Sequence, residues 1–193
     1  MRRWSVLLCA FLLCTACSEP PQKEMDRASG AIDAARAAGA ERYAADVYAA
    51  ATASLQQSHD AVQQRDYRLA LSRALDASER AQEAAKLAAD NKAKARGDSE
   101  TAINQINTAL QQLDARLKAA AVARVPAPAV DRARKVATDA GAALQKARTA
   151  LKDGNYLESL ATLKATSSEI TEGIRQIDEA IDARSPRAVR RKR

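Results

Sequence analysis

Aromatic side chains are scarce, at 3% of 193 residues, with one tryptophan, one phenylalanine and four tyrosines. Trp4 and Phe11 fall among the first 17 residues, so only the tyrosines remain beyond them. A chain with so little bulky volume does not fill the thick core of a globular enzyme. Histidine occurs once, at His59, and no cysteine lies beyond Cys17. That excludes a Cys/His metal site and a disulfide in the body of the chain. Glycines number six, and no glycine-rich phosphate loop can be drawn from them. No serine has the context of a nucleophile elbow. The carboxylates are spread at helical spacings beside Lys or Arg, as Asp76 is with Arg73 and Arg80. Such neighbours are solvated faces rather than an acid/base pair in a pocket. His59, beside Asp60, reads as a surface or boundary residue. Nothing in this inventory supports catalysis, a cofactor or a metal site.

What the chain has is alanine, leucine and long charged residues, a composition that points to an all-α fold of elongated antiparallel bundles. Tyr67 to Ala123 contains no proline and one glycine, Gly97. It reads as one long helix shared by two three-helix units. Ile103, Ile106, Leu110, Leu113, Leu117 and Ala120 are spaced 3, 4, 3, 4, 3, which draws an apolar stripe along one helix face. The first half has a weaker stripe: Tyr67, Leu71, Ala74, Leu75, Ser78, Ala81, Ala85 and Ala88. At about 1.5 Å per residue the stretch would span about 85 Å and needs partners along it. Two readings stand for Arg96-Gly97-Asp98-Ser99: an exposed neck within the helix, or a break capped by Asp98 or Ser99.

The units follow from the flanking segments. Helical patterning over Gln22–Ala38 has Met25, Ala28, Ile32 and Ala35 as its seam, and Gly39 ends it. A second helix over Tyr43–Gln64 turns Ala44, Tyr48, Ala51, Leu55, Ser58 and Val62 inward. Arg65-Asp66 forms a tight turn, with Asp66 capping the central helix. Residues 24–97 then make an N-terminal unit and residues 98–183 a C-terminal three-helix bundle. In the latter, Pro126-Ala127-Pro128 stops the central helix, and Pro128 suits the first turn of the next. That helix carries Val130, Ala133, Ala137, Ala140, Leu144, Ala147 and Leu151. After Asp153-Gly154-Asn155, the last helix is expected to start with Asn155 and Glu158 as a capping box. Leu160, Leu163, Ser167, Ile170, Ile174, Ile177 and Ile181 are its seam. At an offset of 89, Arg65-Asp66-Tyr67 aligns with Gly154-Asn155-Tyr156, which fits either an old duplication or chance among alanine-rich helices. The four tyrosines, Tyr43, Tyr48, Tyr67 and Tyr156, are expected to pack at helix turns.

The two ends of the chain carry its address. Met1-Arg2-Arg3 is a positive start, and Val6–Leu13 is an apolar run too short to span a bilayer as a helix. Two readings stand for residues 1–16: a plain signal peptide cut near Ala16, or a lipoprotein signal. Cys14-Thr15-Ala16-Cys17 resembles a lipobox, with Cys14 where leucine is usual. That resemblance implies lipidation of Cys17, and Ser18 after it resembles the sorting pattern for the outer membrane. Residues 17–23, with Pro20-Pro21, then form a lipidated tether. Acyl chains contribute about 0.8 kcal/mol per buried CH₂, so two or three give lasting attachment.

Net charge is +7, yet residues 17–183 hold 23 Lys/Arg against 24 Asp/Glu. The body is near neutral and offers no basic face for nucleic acid. The excess lies at the ends, above all in residues 184–193 with Arg184, Arg187, Arg190, Arg191, Lys192 and Arg193. This tail reads either as a disordered solubilising end or as a contact for an anionic surface, peptidoglycan included.

Ala40-Glu41-Arg42-Tyr43, then Ala70-Leu71 after Arg65-Asp66-Tyr67, then an Ala/Glu/Lys-rich run resemble an alanine-rich helical domain of bacterial envelope lipoproteins that has no assigned function. The resemblance covers about residues 20–95. It implies a helical fold and an envelope location, and it brings no catalytic residues. The expectation is a non-enzymatic, outer-membrane-anchored periplasmic lipoprotein acting as spacer, adaptor or scaffold. Its partners would be the membrane through Cys17, with peptidoglycan or another helical envelope protein, and not nucleic acid. The rival is a module holding an apolar ligand or a partner helix between its helices.

Overall fold

A computed structural model describes residues 19–184 of the chain. Six helices form there: α1 Gln22–Ala37, α2 Ala40–Tyr43, α3 Ala45–Gln63, α4 Tyr67–Val122, α5 Ala127–Lys152 and α6 Tyr156–Asp182. No strand occurs among the described residues, and the protein is an all-α helical bundle. The chain divides into two compact units between Asn91 and Lys92, ahead of the 97/98 division expected from Gly97. Helix α4 contributes residues to both.

In the first unit, α1 and α3 pack on the early turns of α4, through a core of very small side chains. Met25, Ala28, Ile32 and Ala35 are the buried residues of α1, the seam expected from their spacing. On α4, however, the buried line is Ala70, Ala74, Ala77, Ser78, Ala81, Ala84 and Ala88. Leu71 and Leu75, expected inward, are 38% and 50% exposed. The cause is close approach: alanines at i, i+3 and i+4 let backbones come together, and a leucine in that line would hold them apart. Helix α3 is rotated in the same sense. Ala51, Ser54, Ser58 and Ala61 are buried, while Tyr48, Leu55 and Val62 flank the contact half-buried.

Buried serines then need acceptors. Ser58 Oγ donates to the Ala70 carbonyl at 2.7 Å, and Ser54 Oγ donates to Asp76 Oδ2 at 2.6 Å. Both bonds join α3 to α4.

In the second unit, α5 and α6 pack on the later turns of α4 around larger side chains. Ile103, Ile106, Leu113, Leu144, Leu163, Ile170 and Ile177 share one core with Ala120, Ala133, Ala140 and Ala147. Leu110, Leu117, Val130, Leu151, Ile174 and Ile181 line it half-buried. Ser167, expected in the seam of α6, is exposed, and Thr166 is buried in its place. Gly173 is buried as well, and a Cβ there would meet Val136 Cγ1 at 3.1 Å. At this point the α5–α6 contact depends on a missing side chain, which an apolar stripe does not reveal.

The Gly97 question is settled in favour of continuity, with α4 helical throughout Arg96–Ser99. One interior glycine costs a helix about 1 kcal/mol, less than the packing on either side supplies. Ser99 is no cap. It is buried, and its hydroxyl donates to the Ala95 carbonyl at 2.8 Å and the Tyr156 carbonyl at 3.2 Å.

The α3–α4, α4–α5 and α5–α6 turns share one geometry. Each puts one residue in the left-handed region, at Arg65 (φ 55°), Arg124 (φ 52°) and Gly154 (φ 78°). The next amide then reaches back into the helix just ended: Asp66 to Ala61, Val125 to Ala120 and Asn155 to Ala150, at 2.8–3.0 Å. This closure satisfies carbonyls that a helix end leaves open. The α4–α5 turn lies outside the aligned pair and has the same geometry, so the shared turn shape at Arg65-Asp66-Tyr67 and Gly154-Asn155-Tyr156 is no argument for duplication. Asp66 caps α4 as expected, accepting from the Leu69 amide at 3.0 Å. The capping box at Asn155 does not form: the Asn155 side chain makes no cap bond to α6, and Glu158 instead faces Lys146 of α5 at 3.5 Å.

Candidate functional site

The segment most informative in sequence lies mostly outside the described residues. That holds for Cys17, for residues 1–18 as a whole, and for Arg187, Arg190, Arg191, Lys192 and Arg193. Arg184 is described: it is exposed, just past α6. Its amide bonds the Ile181 carbonyl at 3.0 Å.

Ala40-Glu41-Arg42-Tyr43 turns out to be an elbow. The helix expected to start at Tyr43 instead starts at Ala45, preceded by the single turn α2. Gly39, with φ 89°, ends α1. Tyr43 lies over Gly39, its Cδ2 3.4 Å from where a Cβ would stand. The Tyr43 carbonyl accepts from Asn91 Nδ2 of α4 at 2.7 Å. Outside the elbow, Arg36 ties three elements together: its Nε donates to Glu41 at 3.1 Å and to Tyr48 Oη at 2.9 Å, and its Nη1 to Asp33 at 3.1 Å. The Tyr48 hydroxyl first, then Glu41, raise the Arg36 pKa and hold it charged. These are joints between helices. Tyr43 and Tyr48 pack in the cores there, as expected for tyrosines at turns.

Asp76 is the other polar centre of the first unit. Arg80 Nε lies 2.9 Å from it. The Arg80 hydrogen bond first, and then that of Ser54, hold its carboxyl below the ordinary carboxylate range. A carboxylate so stabilised is a poor general base. His59 is exposed. No group of three or more His, Cys, Asp or Glu is placed to hold a metal among the described residues.

The second unit has shallow grooves. One of about 300 Å³ runs between α4 and α6, with Ile106, Leu160 and Leu163 beside Gln105, Lys164 and Ser168. This mixed, open lining suits water better than an acyl chain, so it adds nothing to the apolar-ligand reading. At the end of the same unit, Arg116 of α4 meets Asp178 of α6 at 3.2 Å. These helices run parallel, and Val122 and Arg184 each lie six residues beyond that pair, so the two stand at about the same level along the helices. Val122 is 86% exposed, and Pro126, Ala127 and Pro128 beside it are exposed too. Sequence reasoning passed over this apolar turn. Its only signal was that Val122 falls outside the stripe that ends at Ala120.

No helix of the described residues is long and apolar enough to cross a membrane. Comparison with protein-family models, with curated proteins and with solved structures finds no match for the chain.

Proposed function

We propose that the protein is a non-enzymatic lipoprotein, anchored by lipid on Cys17 to the outer membrane and facing the periplasm, where its helical surfaces serve as spacer, adaptor or scaffold. The observation that carries this reading is the order of the N-terminus: Arg2-Arg3, the apolar run Val6–Leu13, small residues at Thr15-Ala16, then Cys17. The first helix begins soon after, at Gln22, so the folded part would sit close to its anchor. Support for a scaffold comes from the helices themselves, whose polar groups serve as joints between elements. Leu71 and Leu75, exposed one turn apart on α4, give the first unit a surface to offer a partner helix. The basic tail would contact an anionic component of the envelope.

The test is metabolic labelling with an alkyne fatty acid, followed by density-gradient separation of membranes. The chain should take up label and sediment with outer membrane, and Cys17→Ala should lose the label. An unlabelled product starting at Met1 in the soluble fraction would overturn the reading.

A further inference from the structure

In the second unit the outer face of α4 carries no charge. Opposite the core line of Ile103, Ile106, Leu113 and Ala120, the positions Thr101, Gln105, Thr108, Gln112, Ala115 and Ala119 follow at intervals of 4, 3, 4, 3 and 4, and all six are exposed. Asn104 and Gln111 flank them, exposed as well. The outer faces of the other two helices are charged, by Asp131 and Lys135 on α5 and by Lys164, Glu172 and Arg175 on α6. The spacing on α4 is that of a coiled-coil seam, laid on the outside of a helix whose inner seam is already covered. A shallow hollow runs along it, lined by Thr101, Asn104, Gln105, Thr108, Ala109 and Gln112. These six form two successive diamonds of positions i, i+3, i+4 and i+7, the sockets that receive a side chain from a second helix.

We propose that two copies of the chain pair through this face, antiparallel about a two-fold axis near Thr108. The chemistry of the face selects a second copy. Interface centres are depleted in charged residues, and this exposed face has none. Amides both donate and accept, and the side chains of Asn104, Gln105, Gln111 and Gln112 make no hydrogen bond to other described residues. Turning the face end over end about Thr108 puts Gln105 against Gln112 and Asn104 against Gln111, so that amide meets amide across a self-complementary contact. The borders of the face differ in sign, with Asp98 and Glu100 at one end and Arg116 and Lys118 at the other. The same rotation sets acid against base, whereas parallel pairing sets each against its like. Glu100, Arg116 and Lys118 also pair within the chain, with Arg96, Asp178 and Asp114. These charges therefore choose the direction, and the uncharged face makes the contact. The proposal rests on the scaffold reading for its use and names the partner, but the contact itself needs no lipid on Cys17.

The experiment uses the chain starting at Ser18, which keeps every described residue and has no cysteine. Sedimentation equilibrium should find a dimer that dissociates on dilution. Gln105→Glu with Gln112→Glu sets like charges against each other and should raise the dissociation constant about tenfold or more, with helicity unchanged by circular dichroism. Gln105→Lys with Gln112→Lys should be as weak alone. An equimolar mixture of the two double variants should restore the dimer, which a folding defect would not do. Under mild oxidation Thr108→Cys should link to itself, and Asn104→Cys should link to Gln111→Cys in preference to itself. A monomer at every concentration up to millimolar would overturn the proposal. So would a dimer indifferent to the introduced charges, which would place the contact elsewhere, and one in which Asn104→Cys links best to itself, which would make it parallel. A monomer that instead binds a different helical protein through this face would overturn it as well. Because Cys17 is absent throughout, a failure of lipid labelling in cells and a failure of this contact are read separately.

Discussion

Ser58 Oγ lies 2.7 Å from the carbonyl oxygen of Ala70, and neither residue retains any solvent exposure. A hydroxyl thus crosses between α3 and α4, whose other buried residues at this contact are alanines and Ser54. Replacing it by alanine removes the bond and leaves only a small gap, and the carbonyl remains within the helix. Ser58→Ala should therefore lower stability by about 1 kcal/mol. Ser58→Leu should cost more, about 2–3 kcal/mol, by wedging the helices apart. Urea denaturation followed by circular dichroism measures both, and equal effects would contradict this account of the contact.

The two units should fail in opposite ways. In the first, Ala81 is fully buried between helices at close approach, so Ala81→Leu should cost about 1–3 kcal/mol by overpacking. In the second, Leu113 is fully buried in a larger core, so Leu113→Ala should cost about 2–5 kcal/mol by leaving a cavity. Hydrogen exchange read by mass spectrometry should locate the loss of protection in residues 22–91 for the first variant and in residues 92–184 for the second.

Arg65 and Arg124 sit in the left-handed region, where a side chain is strained and glycine is not. Arg65→Gly should raise stability by about 0.5–1 kcal/mol, the relief of strain exceeding the added freedom of the unfolded chain. Gly154→Ala should lower stability by about 1 kcal/mol for the converse reason. The pair of midpoints in urea should move in opposite directions.

Asp76 links stability to pH. Its carboxyl is held below the ordinary value of 3.8, by Arg80 first and then by Ser54. The folded state therefore binds its proton less readily than the unfolded chain does. Its contribution is complete above the ordinary value and is lost as pH falls through that value toward the lower, folded one. Asp76→Asn should flatten the stability profile in that acid range. Glu172, held at about 2 by Arg175 and then Gln176, will continue to contribute below it. Unfolding midpoints in urea, compared between neutral pH and pH near the ordinary value, test this.

The seam of α1 and the stripe Ile103 to Ala120 could be read from spacing because their large apolar residues, Met25 and Ile32 in one and Ile103 to Leu117 in the other, all fall on a single face. Asp66 could be read as a cap because its role depends only on the next three residues. The line of α4 in the first unit could not: alanine and leucine both satisfy an apolar period, and only the distance between backbones decides between them. Of the candidate site, the positive start with its apolar run and the basic tail were legible as charge and hydropathy. The apolar turn at Val122 became visible only when α4, α5 and α6 brought it level with Arg184.

By itself, the sequence determined that this protein is helical, where its turns fall and that its positive charge lies at its ends, since those properties depend on local composition and on intervals of three and four. Tertiary structure alone decided which face of α4 is buried, that α4 passes through Gly97, and that Gly173 of α6 lies against Val136 of α5. Each of those is a contest between neighbouring helices for the same space, and its outcome depends on residues far away in the chain.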